Sequence, residues 1–419
     1  MRLSPSSDQP RGATLAIVAA ALGYFVDVYD LWLYSVLRVA SLNGLGITDD
    51  AQVKSVGEML LNWQMGGFLV GALAFGLLAD RKGRLTVLFG SILLYSLANL
   101  ANGFVQDVTM YAVCRFVAGV GLAGELGAGI ALVSELVPKD KRGWATTIVA
   151  AIGVAGSVAA AVFGKYFEWR TGYIVGGAMG IVLLFIRIGV YESGMFEKVL
   201  QSSNVKRGDF LSIFRKTEST SRYLATIFVG APVWFFAAMF MTFSKELQEA
   251  LGVSPPHSGA DIVLIGAIGL TVGDVLFGAL SQVWRSRRKA IGAALVLMTL
   301  AVSAIFFFGH TPSAFYALML VAGVAAGYWA VFVTTAGETF GTNLRGTVAI
   351  SAPCFVRGMV IPMTLLRGQL TPSLGILGAT AAVGLVMLAM AVWSVWRLPE
   401  TYGRDLDFVE GAEPVPTVA

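Results

Sequence analysis

The sequence predicts an all-α membrane protein with twelve transmembrane helices in two six-helix halves. Three observations carry that prediction. Hydrophobic residues make up 56% of the 419 residues and charged residues only 13%, against about 25% charged in a soluble domain. So little charge cannot cover a water-facing surface, and the mean hydropathy is +0.73. Twelve stretches are apolar enough to cross a bilayer, which takes about 20 residues each. Short glycine and charge patterns of the first half return in the second.

In chain order the stretches are 14–39, 57–79, 85–105, 109–136, 144–167, 172–190, 221–243, 259–284, 290–308, 314–336, 346–367 and 374–396. A polar lead from Ser4 to Arg11 precedes the first. That stretch is too long for the apolar core of a signal peptide and reads as a transmembrane helix. Connections are short except at 41–56 and 193–220. The second of these carries Lys198, Lys206, Arg207, Arg215 and Lys216. It divides an N-terminal half, 1–192, from a C-terminal half, 221–419, which ends in a short tail.

Arg81, Lys82, Arg84, Lys139, Lys141, Arg142, the linker group, Arg285, Arg287, Arg288, Lys289, Arg345 and Arg404 fall on one side; Lys54, Arg170 and Lys245 are scattered on the other. Basic loops stay in the cytoplasm, so both termini and the linker are expected there, with the protein in the cell membrane. The halves repeat each other. Glu135 precedes Arg142-Gly143 by the same spacing as Glu338 precedes Arg345-Gly346, Gly71 and Gly76 recur as Gly273 and Gly278, and Glu192 recurs as Glu400. Parallel repeats of this kind occur among secondary transporters.

Other chemistries find little support. His257 and His310 lie in polar breaks, and Cys114 and Cys354 lie in apolar stretches without metal spacing. No cofactor, metal, nucleic acid or enzymatic activity is expected, because no nucleophile–base pair or ligand cluster is visible.

Gly76-Leu77-Leu78-Ala79-Asp80-Arg81-Lys82-Gly83-Arg84 resembles the loop signature between helices two and three of the major facilitator superfamily. Arg115 through Glu125, reading RFVAGVGLAGE, resembles its helix-four signature, and Glu192-Ser193 and Pro399-Glu400-Thr401 resemble the acidic motifs after helices six and twelve. The resemblance covers nearly the whole chain and is nearest to the metabolite–proton, sugar-porter and phosphate–proton symporter groups. Asp27-Val28-Tyr29-Asp30 is similar to the acidic pair that the last group carries in helix one. The C-terminal copy of the loop signature departs from the pattern, with Gln282 where Asp80 stands in the first half. Helix five has Gly153 and Gly156 but lacks the proline of drug–proton antiporters, which counts against export.

Asp27 and Asp30 are three residues apart, so they share one face of helix one, which Tyr24 and Tyr34 extend. Acids inside a membrane helix are costly and face a cavity or a partner. Each is a candidate proton carrier, with a satisfied ion pair as the alternative. Arg115, at comparable depth in helix four, is the natural partner; the resemblance to sugar porters implies that it pairs with Asp30. Glu125, deeper in helix four, either joins this proton-coupling group or fixes packing by a hydrogen bond. Arg357, near the middle of helix eleven, has no acid beside it in sequence. It pairs with Asp274 of helix eight or holds a substrate carboxylate or phosphate. Trp234, Phe235, Tyr328 and Trp329 form an aromatic wall of the substrate site or simply pack. Asp80, Arg84, Glu135, Arg142, Glu192, Glu338 and Arg345 form an expected cytoplasmic gate between the halves.

With Arg357 as a candidate anion ligand, the sequence reads as a proton-coupled importer of a small, anionic organic metabolite, expected to work as a monomer in a lipid bilayer whose halves rock about a central site. A neutral solute such as a sugar or polyol is the alternative, with export behind it.

Overall fold

Inside a bilayer no water satisfies backbone N–H and C=O groups, so apolar stretches of this length must fold as helices. The computed structural model describes residues 9–125, 127, 129, 137, 139–187 and 210–404, apart from the side chains of 9–16, 80, 84, 139–144, 146, 147, 150 and 151. Among the described residues there is no strand. Glu135 and Glu192 lie outside these residues, as do the side chains of Asp80, Arg84 and Arg142.

The N-terminal half contains α1 (Gln9–Gly44), α2 (Asp50–Lys82), α3 (Arg84–Asn102), α4 (Val108–Leu122), α5 (Lys139–Tyr166) and α6 (Trp169–Ile186). After a 3-10 turn at Phe210–Phe214, the seventh span is built from α7 (Thr217–Phe228), α8 (Ala231–Phe236) and a π-helical turn, Ala237–Thr242. A short helix, α9 (Ser244–Leu251), leads to α10 (Gly259–Val283) and α11 (Arg287–Phe308). The tenth span is broken into α12 (Pro312–Ala326) and α13 (Trp329–Thr339), and the last two spans are carried by α14 (Thr342–Gly358) and α15 (Val360–Arg397). Gly375, at φ 68°, divides α15, so the chain reverses there into the twelfth span.

Pseudo-symmetry shows in the packing. In the first half α2 packs on α4, and in the second α10 packs on α12. Glycine permits both contacts. A Cβ on Gly71 would stand 2.4 Å from the carbonyl oxygen of Val120, and one on Gly273 would stand 2.1 Å from that of Val324. Small residues let membrane helices approach to backbone distance, and these two glycines are the ones that repeat in sequence. The halves meet along α2 with α14, α5 with α10 and α1 with α10. Exposed Arg81, Lys82, Arg285 and Lys289 mark one end of the bundle, called here the basic end.

Candidate functional site

Where the halves meet lies a small, tightly lined cavity. Helix α1 supplies Tyr24, Val28, Leu31 and Trp32, a stripe at helical spacing. The second half supplies Val233, Trp234 and Ala237 from the seventh span, Leu270 and Asp274 from α10, Trp329 from α13 and Arg357 from α14. The walls are aromatic. Trp234 and Trp329 meet edge to face with centroids 6.2 Å apart. A neighbouring smaller cavity shares Leu31, Trp32, Trp234 and Ala237, and extends to Ser35 and Thr242.

The two acids of α1 diverge. Asp30 stays within its own half, where Arg115 of α4 donates to both carboxylate oxygens, at 3.1 and 3.2 Å. Tyr34 and Tyr173 rings flank the guanidinium at 5.3 and 5.5 Å, and all of these groups are buried. Asp27 turns to the other half. Arg357 donates to it from Nη2 at 2.8 Å and Nη1 at 3.4 Å, while its guanidinium lies over the rings of Phe68 at 4.5 Å and Trp234 at 5.6 Å.

Of the two readings of Arg357, a pair with Asp274 or a substrate anion, the first is corrected: the arginine's partner is Asp27. Asp274 Oδ1 instead accepts from the backbone N–H of Ala330 at 2.9 Å. The reason is the break in the tenth span. α13 restarts at Trp329, so its first N–H groups have no carbonyl one turn earlier, and the buried carboxylate caps one of them. Its other oxygen, Oδ2, is buried without a hydrogen-bond partner.

Glu125 sits one turn of α1 nearer the basic end. Arg187 donates to it at 2.6 and 3.0 Å, and Ser91 at 2.6 Å. The pair abuts α1 at Gly23, where a Cβ would fall 2.1 Å from Arg187 Nη2. Buried carboxylates therefore follow one another along one side of α1, from Asp30 through Asp27 to Glu125.

Other expected site residues stand elsewhere. Tyr34 donates to the carbonyl of Gly57 at 2.7 Å and Tyr328 to that of Val229 at 2.8 Å; neither lines the central cavity. Phe235 lines a different, apolar groove with Phe306 and Gly384. At the basic end, Glu338 accepts from Arg287 at 3.2 Å and Thr401 at 2.8 Å, an arrangement within the second half. Arg345 is fully buried.

Sequence reasoning passed over a second charge group, at the end opposite the basic loops. Arg38 of α1 pairs with Glu246 of α9 at 2.9 Å, and Arg367 of α15 with Glu58 of α2 at 2.5 Å. Both pairs cross between the halves. The two guanidiniums lie at 4.8 and 4.6 Å from the ring of Phe243. Just below, Ser35 and Thr242 share a hydrogen bond of 2.8 Å. Together these contacts close the route from the cavity to that end. Arg38, Arg187 and Arg367 each fall inside a predicted apolar stretch, and the cost of an intramembrane charge is the signal that marks them. Trp32 had a signal too, standing four residues beyond Val28 and eight beyond Tyr24.

A sequence model of the Major Facilitator Superfamily matches residues 20–352. The chain is 27% identical over 402 residues to a probable 4-methylmuconolactone transporter of Cupriavidus pinatubonensis, covering 93% of this chain and 91% of the relative. It is 26% identical over 377 residues to the 3-(3-hydroxy-phenyl)propionate transporter of Escherichia coli, covering 85% and 89%. The fold of the proton:xylose symporter XylE superposes with a TM-score of 0.72 at 17% identity, covering 95% of this chain and 98% of that one.

Proposed function

The chain belongs to the Major Facilitator Superfamily, and on that premise we propose that this transporter imports a small aromatic carboxylate together with a proton. The carrying observation is the ion pair between Asp27 and Arg357, which joins the two halves at the wall of an aromatic-lined cavity. A guanidinium binds a carboxylate through a planar fork. A substrate carboxylate and the Asp27 carboxylate are therefore rivals for Arg357. When substrate takes the arginine, Asp27 loses its counter-charge and takes up a proton. When substrate leaves, Arg357 recovers Asp27 and the proton is released. Either exchange keeps the buried charge balanced, which a low-dielectric site demands. The relatives named for a hydroxyphenylpropionate and a methylmuconolactone support a small organic metabolite, and Tyr24, Trp32, Trp234 and Trp329 suit a flat ring.

Asp30 with Arg115, and Glu125 with Arg187, are assigned to the proton's route on either side of Asp27. The rocking units are residues 1–192 and 221–419, joined by a cytoplasmic linker at 193–220. With the basic loops inside the cell, both termini are cytoplasmic and the Arg38–Glu246 and Arg367–Glu58 pairs form the outer gate of a cell-membrane protein. Asp80, Arg84, Glu135, Arg142, Glu192, Glu338 and Arg345 are assigned to the inner gate. One chain completes the cavity, so the monomer is the working unit.

Proteoliposomes with an imposed inward proton gradient test this reading. Labelled benzoate and 3-phenylpropionate should accumulate, collapse of the gradient should stop accumulation, and Asp27→Asn should leave only exchange. Accumulation of xylose but of neither carboxylate would favour the neutral-solute reading; gradient-independent accumulation would remove the proton.

A further inference from the structure

Asp274 places a second polar anchor in the cavity, and the established contacts leave half of it unused. Its Oδ1 is committed to the N–H of Ala330 at 2.9 Å. Its Oδ2 is wholly buried and has no hydrogen-bond partner. The residue itself is 0% exposed and lines the same cavity as Arg357. The backbone holds it there rigidly, because Gly273 and Gly327 let α10 and the broken tenth span touch; a Cβ on Gly327 would stand 2.5 Å from the amide nitrogen of Asp274. Native proteins rarely leave such an oxygen unpaired, and a buried unpaired acceptor next to a ligand space asks for a donor.

Tyr24 lines the same cavity, yet among the described residues neither it nor any other group hydrogen-bonds Oδ2. Arg357 is spent on Asp27. The capped N–H of Ala330 already occupies Oδ1, so Oδ2 is the oxygen left to a ligand. We propose that Asp274 is a specificity-determining residue: its Oδ2 accepts a hydrogen bond from a hydroxyl or N–H carried by the substrate's ring, away from the carboxylate that Arg357 holds. The inference rests on the carboxylate reading of this cavity and sharpens it. The preferred substrates are bifunctional, with an acid at one point and a hydrogen-bond donor at another. A site built to pair a substrate hydroxyl discriminates strongly against the analogue that lacks it, because the buried partner is then stranded.

The test uses the purified full-length protein and matched probes: benzoate, its three hydroxy isomers and their methoxy counterparts, with 3-phenylpropionate and 3-(3-hydroxyphenyl)propionate as a longer series. In the wild type, the best hydroxy isomer should bind at least about tenfold more tightly than its parent, and methylation of that hydroxyl should erase the gain. Asp274→Asn keeps the cap through its carbonyl oxygen and replaces the free acceptor with an NH2 donor. Whatever it does to the affinity for the parent acid, it should reduce the ratio of hydroxy-acid to parent-acid affinity to near one. Equal binding of parent and hydroxy acids by the wild type overturns the proposal without any variant, as does a hydroxyl preference that survives in Asp274→Asn. Failure of the premise looks different. No member of either series would then bind the wild type at all, and the proposal would fall with it.

Discussion

Two buried aspartate–arginine pairs stand three residues apart on α1, and they do different things. Asp30 and Arg115 belong to one half, enclosed by Tyr34, Tyr111 and Tyr173, with the last two sharing a 2.6 Å hydrogen bond. Rigid-body rocking of the halves leaves every one of those distances unchanged. Asp27 and Arg357 belong to different halves and meet at the cavity. Rocking must strain or break that contact, so its strength depends on conformation and on what occupies the site. Chemically like pairs thus divide into one that stays intact within a half, on the proposed route of the proton, and one that reports the relation between halves.

The sharpest way to break the comparison is to remove Arg357. Arg357→Gln strands Asp27, and removal of one partner of a buried pair costs about 3–5 kcal/mol. Carboxylate uptake should fall at least ~100-fold and the melting temperature should drop. The double variant Asp27→Asn, Arg357→Gln should recover the melting temperature while uptake stays lost. Recovery of both, measured on one preparation, would make the pair structural only.

Asp30→Asn should produce the reverse pattern. It strands Arg115 within a rigid half, so thermal stability should fall by a comparable amount, yet substrate affinity should change by less than about threefold. An affinity loss as large as that of Arg357→Gln would place Asp30 in the binding site and end the distinction.

A smaller effect is expected from the opposite-end pairs, which cross between halves like Asp27–Arg357 but lie nearer water. Arg38→Gln with Arg367→Gln, in a background where Cys114 and Cys354 are alanine, should favour the state open at that end. A cysteine placed at Ser35 should then react with an impermeant maleimide about three- to tenfold faster. Unchanged reactivity would mean that Phe243 and the Ser35–Thr242 contact seal the route alone.

The smallest effect lies at the basic end, within one half. Partial burial by itself raises the Glu400 carboxyl, but hydrogen bonds from Ser286 and from the backbone N–H groups of Tyr402, Arg287 and Arg288 outweigh it and hold the carboxyl below the usual range. The stabilisation is therefore complete above the ordinary glutamate value of 4.5 and is lost as pH falls through the lowered one. Glu400→Gln should lower the melting temperature at pH 7 by on the order of 1 °C, and the difference should vanish in acid. A pH-independent difference would point to lost packing instead.

The sequence by itself determined the class of protein and made the apolar spans, the repeat and several intramembrane charges visible, though Arg38, Arg187 and Arg367 were passed over. Apolar length and the scarcity of charge are local properties, and an acid or arginine inside an apolar stretch is conspicuous because the bilayer penalises it. Gly71 and Gly273 could likewise be matched by pattern before their backbone contacts were known. Partnership was different. Nothing in the spacing of Asp27 and Asp30 says that one turns to Arg115 and the other to Arg357, 330 residues away, because that choice depends on how α1 is rotated between two halves. Nor does the sequence say that Asp274 caps a helix, since the need for a cap arises only where the tenth span breaks at Gly327 and Tyr328. Residues at the seam between the halves, such as Arg38 with Glu246 and Arg367 with Glu58, acquire their roles from the docking of two domains, and only the tertiary structure decides that.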